Sequence, residues 1–312
     1  MSTKRSTLLI IYGLIIVGCL TGIFRANVTQ AEFTVKASIQ ASIQDEDYVG
    51  LLAFKEYVEK NSKGRVQVQL YASGQFCGSV PECIGSLQSG VLEMFPSTAG
   101  GTGNFFAPAQ VLDLPYVFTS DAQAECVLDG PILQKMRDTV LGNGLNIRLI
   151  GVSNTGGWRN FATTKKPIRN PEDLKGRKIR TTPADIQQEL VRQLGANPTP
   201  ISWAELYTAL ATGVVEGSKN GIQDIIGAKL QEHLKYIILD GHSYMATLWW
   251  FSEPVWKTLP KDIQQIVLEG FAKQKAAANE FVATQESDSY KIFEEAGGII
   301  YRPSVAEKQA FK

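Results

Sequence analysis

The sequence predicts an α/β chain folded as two lobes, with one long helix reaching across both. Three observations lead there. Segments of strand period and helix period alternate from Phe33 to Lys219, the pattern of a sheet covered by helices. The 312 residues, 44% hydrophobic and 20% charged, suffice for two domains that each bury a core. From Lys261 to Ala296 there is no proline and Gly270 is the only glycine. A helix of that length reaches roughly 50 Å, too long for one small lobe.

Each element has its own signal. Phe33, Val35, Ala37 and Ile39 alternate with polar residues as on a half-buried strand. Val49, Leu52, Ala53 and Tyr57 recur at helical spacing, and Gly64 ends that helix. Val66, Val68 and Leu70 mark a second strand. Pro81 opens a helix through Leu87, closed by Gly90, and Val91 to Phe95 reads as a third strand. Cys126 to Leu141 reads as one helix, and Ile147 to Val152 and Arg159 to Thr163 as two strands. Lys178 to Thr181 is a further strand after the loop Pro167 to Gly176. Pro183 opens a helix to Leu194, capped by Gly195. Trp203 to Ala211 is a helix stopped by Gly213, and Val214 to Lys219 a short strand. Trp249 and Trp250 alternate across another strand, so at most one faces a cleft. Mainly parallel pairing is expected of such an order.

The first 31 residues read as an export signal: Lys4 and Arg5, an apolar run from Leu8 to Val17, and a cleavage site ending at Ala31. A membrane anchor and lipidation at Cys19, in Ile16-Val17-Gly18-Cys19, are the competing readings. Without that segment 28 basic residues stand against 31 acidic, a net charge of −3. Nothing in this charge pattern points to nucleic acid. Export permits a disulfide between Cys77 and Cys83. The two histidines, His233 and His242, lie far from those cysteines, so no metal motif forms and no cofactor is expected. Cys126, among helix formers, reads as a small buried apolar side chain.

Longer motifs carry more information. They are Asn170-Pro171-Glu172-Asp173-Leu174-Lys175-Gly176-Arg177-Lys178-Ile179-Arg180, Leu194 to Pro200, and Glu205 to Gly217 followed by Asn220. Asp113-Leu114-Pro115-Tyr116-Val117-Phe118 and Leu128-Asp129-Gly130-Pro131 precede them. In this order they resemble the DctP-like substrate-binding proteins of tripartite ATP-independent periplasmic (TRAP) transporters, over nearly the whole exported chain. The resemblance implies a two-lobe periplasmic-binding-protein-like fold with a hinge-spanning helix. It implies a periplasmic monomer without catalytic chemistry that hands a small organic acid to membrane permease subunits. Lobe I is then expected at 32–155 plus about 246–285, and lobe II at 156–245 plus about 286–312. The family usually continues past the position of Lys312, so the sequence is a short form or a truncated one.

The resemblance also names candidates. Arg180 matches the family's carboxylate-binding arginine, and a guanidinium offers a carboxylate two parallel donors. Arg159 aligns with a second arginine, Asn220 with a ligand-facing amide, and Trp203 with an aromatic wall. The competing readings are a solvated strand end, a surface ion pair, a turn and a core tryptophan. Ser97 and Thr98, with the Gly100-Gly101-Thr102-Gly103 turn, end a strand where α/β proteins receive ligands. Tyr48 is placed to close the cleft. Lys219 departs from the family pattern and is expected to face solvent. The Cys77–Cys83 loop also departs, at the cleft rim. Two other functions compete: a receptor presenting its ligand to a sensor protein, and an exported hydrolase, for which no nucleophile motif accompanies the histidines.

Overall fold

The computed structural model describes residues 31–312. The export segment and Cys19 lie outside the described residues. In chain order the first elements are β1 (Phe33–Ser38), α1 (Glu46–Asn61), β2 (Val66–Tyr71), α2 (Val80–Ser89), β3 (Met94–Thr98) and the short α3 (Ala99–Thr102). A 3-10 turn (Ala107–Asp113) leads to α4 (Asp121–Leu128), α5 (Pro131–Gly142) and β4 (Ile147–Thr163). Next come β5 (Lys178–Thr181), α6 (Asp185–Gln193), β6 (Asn197–Pro200), α7 (Leu206–Ala211), β7 (Gly217–Asn220) and α8 (Ile222–Gly227). The chain closes with β8 (Tyr236–Ser252), α9 (Glu253–Thr258), α10 (Lys261–Glu295), β9 (Ile299–Tyr301) and α11 (Val305–Gln309).

All strands join one sheet in the order β2-β1-β3-β8-β4-β7-β5-β6, with β9 also on β8. Pairing is mixed rather than mainly parallel. β1–β2, β5–β6 and β5–β7 are parallel, whereas β4–β8 is antiparallel from Ile147↔Ser252 to Thr163↔Tyr236. β4 carries the chain from the first half of the sheet into the second and β8 carries it back, so the two must run oppositely. The two strands expected at 147–152 and 159–163 are one strand, bent by a register shift between Asn154 and Trp158. β6 sits at the edge, where Pro198 and Pro200 cost no ladder bond.

Four apolar clusters flank the sheet. In the first half, Leu87, Phe95, Phe106 and Trp250 pack on one face. Val35, Phe54, Trp249 and Phe271 pack on the other. Trp249 and Trp250 are both fully buried core residues on opposite faces, and neither lines a cleft. In the second half Ala162 and Ile237 face one cluster, and their neighbours Phe161 and Ile238 the other. The helix expected at 261–296 is α10, and it does bridge. Ile263, Val267 and Phe271 pack in the first half, while Phe293 packs in the second.

Local chemistry explains the remaining differences. Gly90 caps α2 in the left-handed conformation and Val91 stays exposed, so β3 begins three residues later than expected. Asp129-Gly130-Pro131 splits the helix expected at 126–141, because Pro131 starts a new first turn. Cys126 is exposed rather than buried: α4 buries Ala124 and Leu128, and a residue midway between them points outward. Cys77 and Cys83 are disulfide-bonded, with Cα atoms 5.3 Å apart.

Candidate functional site

A cavity of about 550 Å³ opens at the C-terminal ends of the strands. Ile39 to Ala41 follow β1, Pro96 to Thr98 end β3, and Arg180 to Pro183 end β5 and its turn. Ile201 to Trp203 follow β6, and Asn220 ends β7. Six sequence candidates thus meet in one cavity: Arg180, Arg159, Asn220, Trp203, Ser97 and Thr98. Tyr48 is not among the lining residues. It packs, half-buried, against the first-half core, while its neighbours Asp45 and Asp47 face the cavity instead.

Arg180 is 5% exposed, and its Nε donates to the Ile201 carbonyl at 2.9 Å. Among the described residues no protein acceptor takes its Nη atoms, which leaves that end of the fork for another partner. The guanidinium lies 5.9 Å from the centre of the Trp203 ring. Burial, then the Arg159 charge, lowers the pKa of Arg180 to about 9, against the pull of Asp224. It is still charged at neutral pH, and among the described residues no acid stands at ion-pair distance from it.

Arg159 also makes a single protein hydrogen bond, and its Nε is buried without one. Its Nη1 donates to the Lys219 carbonyl at 3.0 Å, and its Nε lies 3.9 Å from Asp113 Oδ1. Lys219 does not face solvent. It is 2% exposed, and its Nζ donates to Gln187 Oε1 at 2.7 Å, because β7 is interior and both of its faces are covered. Burial, then the Arg159 charge, pushes the Lys219 pKa well down. Gln187 in turn donates to Asp113 at 2.7 Å. This relay ties the turn before α4 to α6 and β7. Gly100 sits at the same contact. A Cβ there would fall 2.4 Å from Thr182 Oγ1 and 2.7 Å from Gln187 Nε2.

Asn220 accepts from Ser218 Oγ at 2.7 Å and donates weakly to Asp224 at 3.5 Å. The hydroxyls of Ser97 and Thr98 are occupied locally. Ser97 Oγ accepts from Trp250 Nε1 at 2.9 Å, and Thr98 Oγ1 caps α3 through the Gly101 N–H at 3.1 Å. These two form wall rather than reach.

The acids at the cavity were not anticipated. Asp45, Asp47 and Asp224 line it, with Glu46 behind them accepting from Thr155 Oγ1 at 2.6 Å. Asp224 arrives there because β4 bulges at Gly156 (φ 70°), whose carbonyl sits where a Cβ on Gly221 would be, 1.7 Å away. Burial is the largest cause raising the pKa of Asp45, Glu46 and Asp47, and mutual repulsion adds to it. For Asp224, burial outweighs the pull of Arg159 and Arg180. The run Asp45-Glu46-Asp47 reads in sequence as ordinary first-turn helix acids, which hides it. Asp224 has no local signal.

The family model for bacterial extracellular solute-binding protein, family 7 (DctP), matches residues 37–312. The chain belongs to this family. A solute-binding protein from Verminephrobacter eiseniae is 31% identical over 249 residues, covering 80% of this chain and 73% of its own. A TRAP periplasmic solute-binding protein from Bordetella bronchispeptica, solved with density assigned as pantoate, superposes with TM-score 0.84. It has 29% identity and covers 89% and 91% of the two chains. One from Sulfurospirillum deleyianum with bound succinate reaches TM-score 0.85 at 25% identity, covering 90% and 91%. The DctP-like resemblance and the α/β fold with its long helix are thus established for this chain. The family consists of extracellular binding proteins, and no helix among the described residues is long and apolar enough to cross a membrane.

Proposed function

We propose that this chain captures a small organic carboxylate in the cavity between its two halves and delivers it to TRAP permease subunits. The observation that carries the reading is Arg180: nearly buried, lining the cavity, with its Nη atoms and its charge unpaired among the described residues. Two charge-assisted bonds there contribute about 3–6 kcal/mol, against the roughly 8 kcal/mol of micromolar affinity. Arg159, Asn220 and the Trp203 wall supply the remainder. The relatives solved with pantoate and succinate hold acids of the same class.

The lobes of this reading are 32–155 plus about 246–285 and 156–245 plus about 286–312, exchanging chain through β4, β8 and α10. The protein acts as a periplasmic monomer after loss of residues 1–31 and has no catalytic role. A thermal-shift screen of organic acids tests it: at least one acid raises the melting temperature, and Arg180→Ala removes that rise. Full affinity in the variant would refute the clamp.

A further inference from the structure

The cavity that receives a carboxylate at Arg180 is not a positive one. Three acids line it, Asp45, Asp47 and Asp224, against two guanidiniums, Arg159 and Arg180. Carboxylate oxygens of Asp45, Glu46 and Asp224 lie within 4.8 Å of one another, close enough to share one positive centre. A bare monocarboxylate paired with Arg180 would leave these acids without a partner.

Arg159 and Arg180 pull on Asp224 only from beyond ion-pair distance. Among the described residues none of the four forms an ion pair with a lysine or arginine. Asp45 Oδ1 accepts only the Asp47 N–H at 2.9 Å, the N-cap bond of α1. Asp224 receives the Asn220 amide at 3.5 Å. Asp47 is independent of the three-way grouping. It is 7% exposed and lines the cavity, and its Oδ1 is buried without any hydrogen-bond partner. An orphaned acceptor at a cavity wall lacks a donor that the protein does not supply.

We infer that the ligand is zwitterionic: its carboxylate is held by Arg180, and a cationic amino group is held by Asp45 and Asp224, with Asp47 as a further acceptor at the same cavity wall. An ammonium offers three donors and one full charge, which suits the neighbouring carboxylates of Asp45 at the start of α1 and Asp224 on α8, with the unpartnered Asp47 beside them. The two ends of the ligand then hold the two halves of the sheet together, since Asp45 and Asp47 precede β2 and Arg180 ends β5. Burial disfavours the charged form of all three, and a cation beside them offsets that cost. This inference rests on the carboxylate reading of Arg180 and narrows it to amino acids in the broad sense.

The test uses matched pairs of three- to six-carbon acids that carry either a hydroxyl or an amino group on the same carbon, such as lactate with alanine and 4-hydroxybutyrate with 4-aminobutyrate. Affinities are measured by calorimetry on protein freed of copurifying ligand, with and without calcium and a chelator. The expected result is at least tenfold tighter binding of the amino member of one pair. Asp47→Asn and Asp224→Asn, checked for intact folding by circular dichroism, should each cut that preference severalfold. Tighter binding of the hydroxy members, or no binding by any amino member, overturns the inference. So does a preference that persists in both variants. Hydroxy-acid binding that needs calcium and vanishes with chelator also overturns it, by assigning the acids to a metal ion. Failure of the carboxylate reading is separate: there Arg180→Ala leaves the binding of both series intact.

Discussion

The Arg180 guanidinium stands 5.9 Å from the ring centre of Trp203, and both line a cavity shared with Asp45, Asp47 and Asp224. The ring gives the cation an apolar neighbour that cannot replace water, so the charge is desolvated without being neutralised. An incoming carboxylate repairs that deficit.

Arg180→Ala should therefore abolish acid binding, while Arg180→Lys keeps the charge but loses the two-pronged fork. Losing one or both charge-assisted bonds costs about 2–6 kcal/mol, or roughly 30- to 10⁴-fold in affinity. Calorimetry on the best acid from the screen measures it. Equal affinities for the wild type and the Arg180→Lys variant would show that a point charge suffices.

Gly100→Ala tests the contact between the halves. The added Cβ meets the Thr182, Gln187 and Asp113 side chains at 2.4, 2.7 and 2.8 Å, so these side chains, joined by the Gln187–Asp113 bond, must shift or the halves must part. Overpacking of this kind costs about 1–3 kcal/mol. A lower melting temperature and a larger radius of gyration by small-angle scattering are expected, with weaker acid binding. An unchanged scattering curve alongside unchanged affinity would mean that this contact does not govern closure.

The disulfide contributes mainly by restricting the unfolded chain. A loop as short as Cys77 to Cys83 gives about 2 kcal/mol in the chain-entropy model, and roughly 2–4 °C per kcal/mol in a chain of this size. Cys77→Ser with Cys83→Ser should lower the melting point by that order and leave Arg180 untouched. A loss of acid affinity in the double variant would show that the loop shapes the rim directly.

Much of this is legible in order and period. The strand of Phe33, the long helix from Lys261 and the meeting of Arg180, Asn220 and Trp203 all follow from local pattern or ordered motif. What escapes depends on sheet topology. Lys219 reads as exposed because alternation reports two faces and not whether both are covered; β7 lies between β4 and β5. The antiparallel ribbon is hidden because the crossing of β4 and β8 is a property of two halves joined, not of either strand. Asp224 joins Asp45 from far along the chain only through the Gly156 bulge, which no window of sequence displays.

The acid cluster makes a last prediction about stability. Buried Asp45 has a pKa raised by desolvation first and by Asp47 and Asp224 next, above the unfolded value near 4. A group whose folded pKa is raised stabilises the fold fully below its unfolded pKa, and that contribution is lost as pH rises through the folded pKa. At neutral pH, then, the ligand-free protein carries a strain that acid relieves. Asp45→Asn removes it while keeping the cap, since an Asn oxygen can still accept the Asp47 N–H. The variant should melt measurably above the wild type at pH 7.5. The gain should shrink toward zero below about pH 4, where Asp45 is protonated in both states. The comparison is made between variant and wild type at each pH, because His242, whose pKa is lowered by burial against the pull of Asp240, destabilises both proteins alike as pH falls below about 6.5. A variant that melts lower at pH 7.5, or a gain that grows on acidification, would show that Asp45 is already compensated in the ligand-free fold.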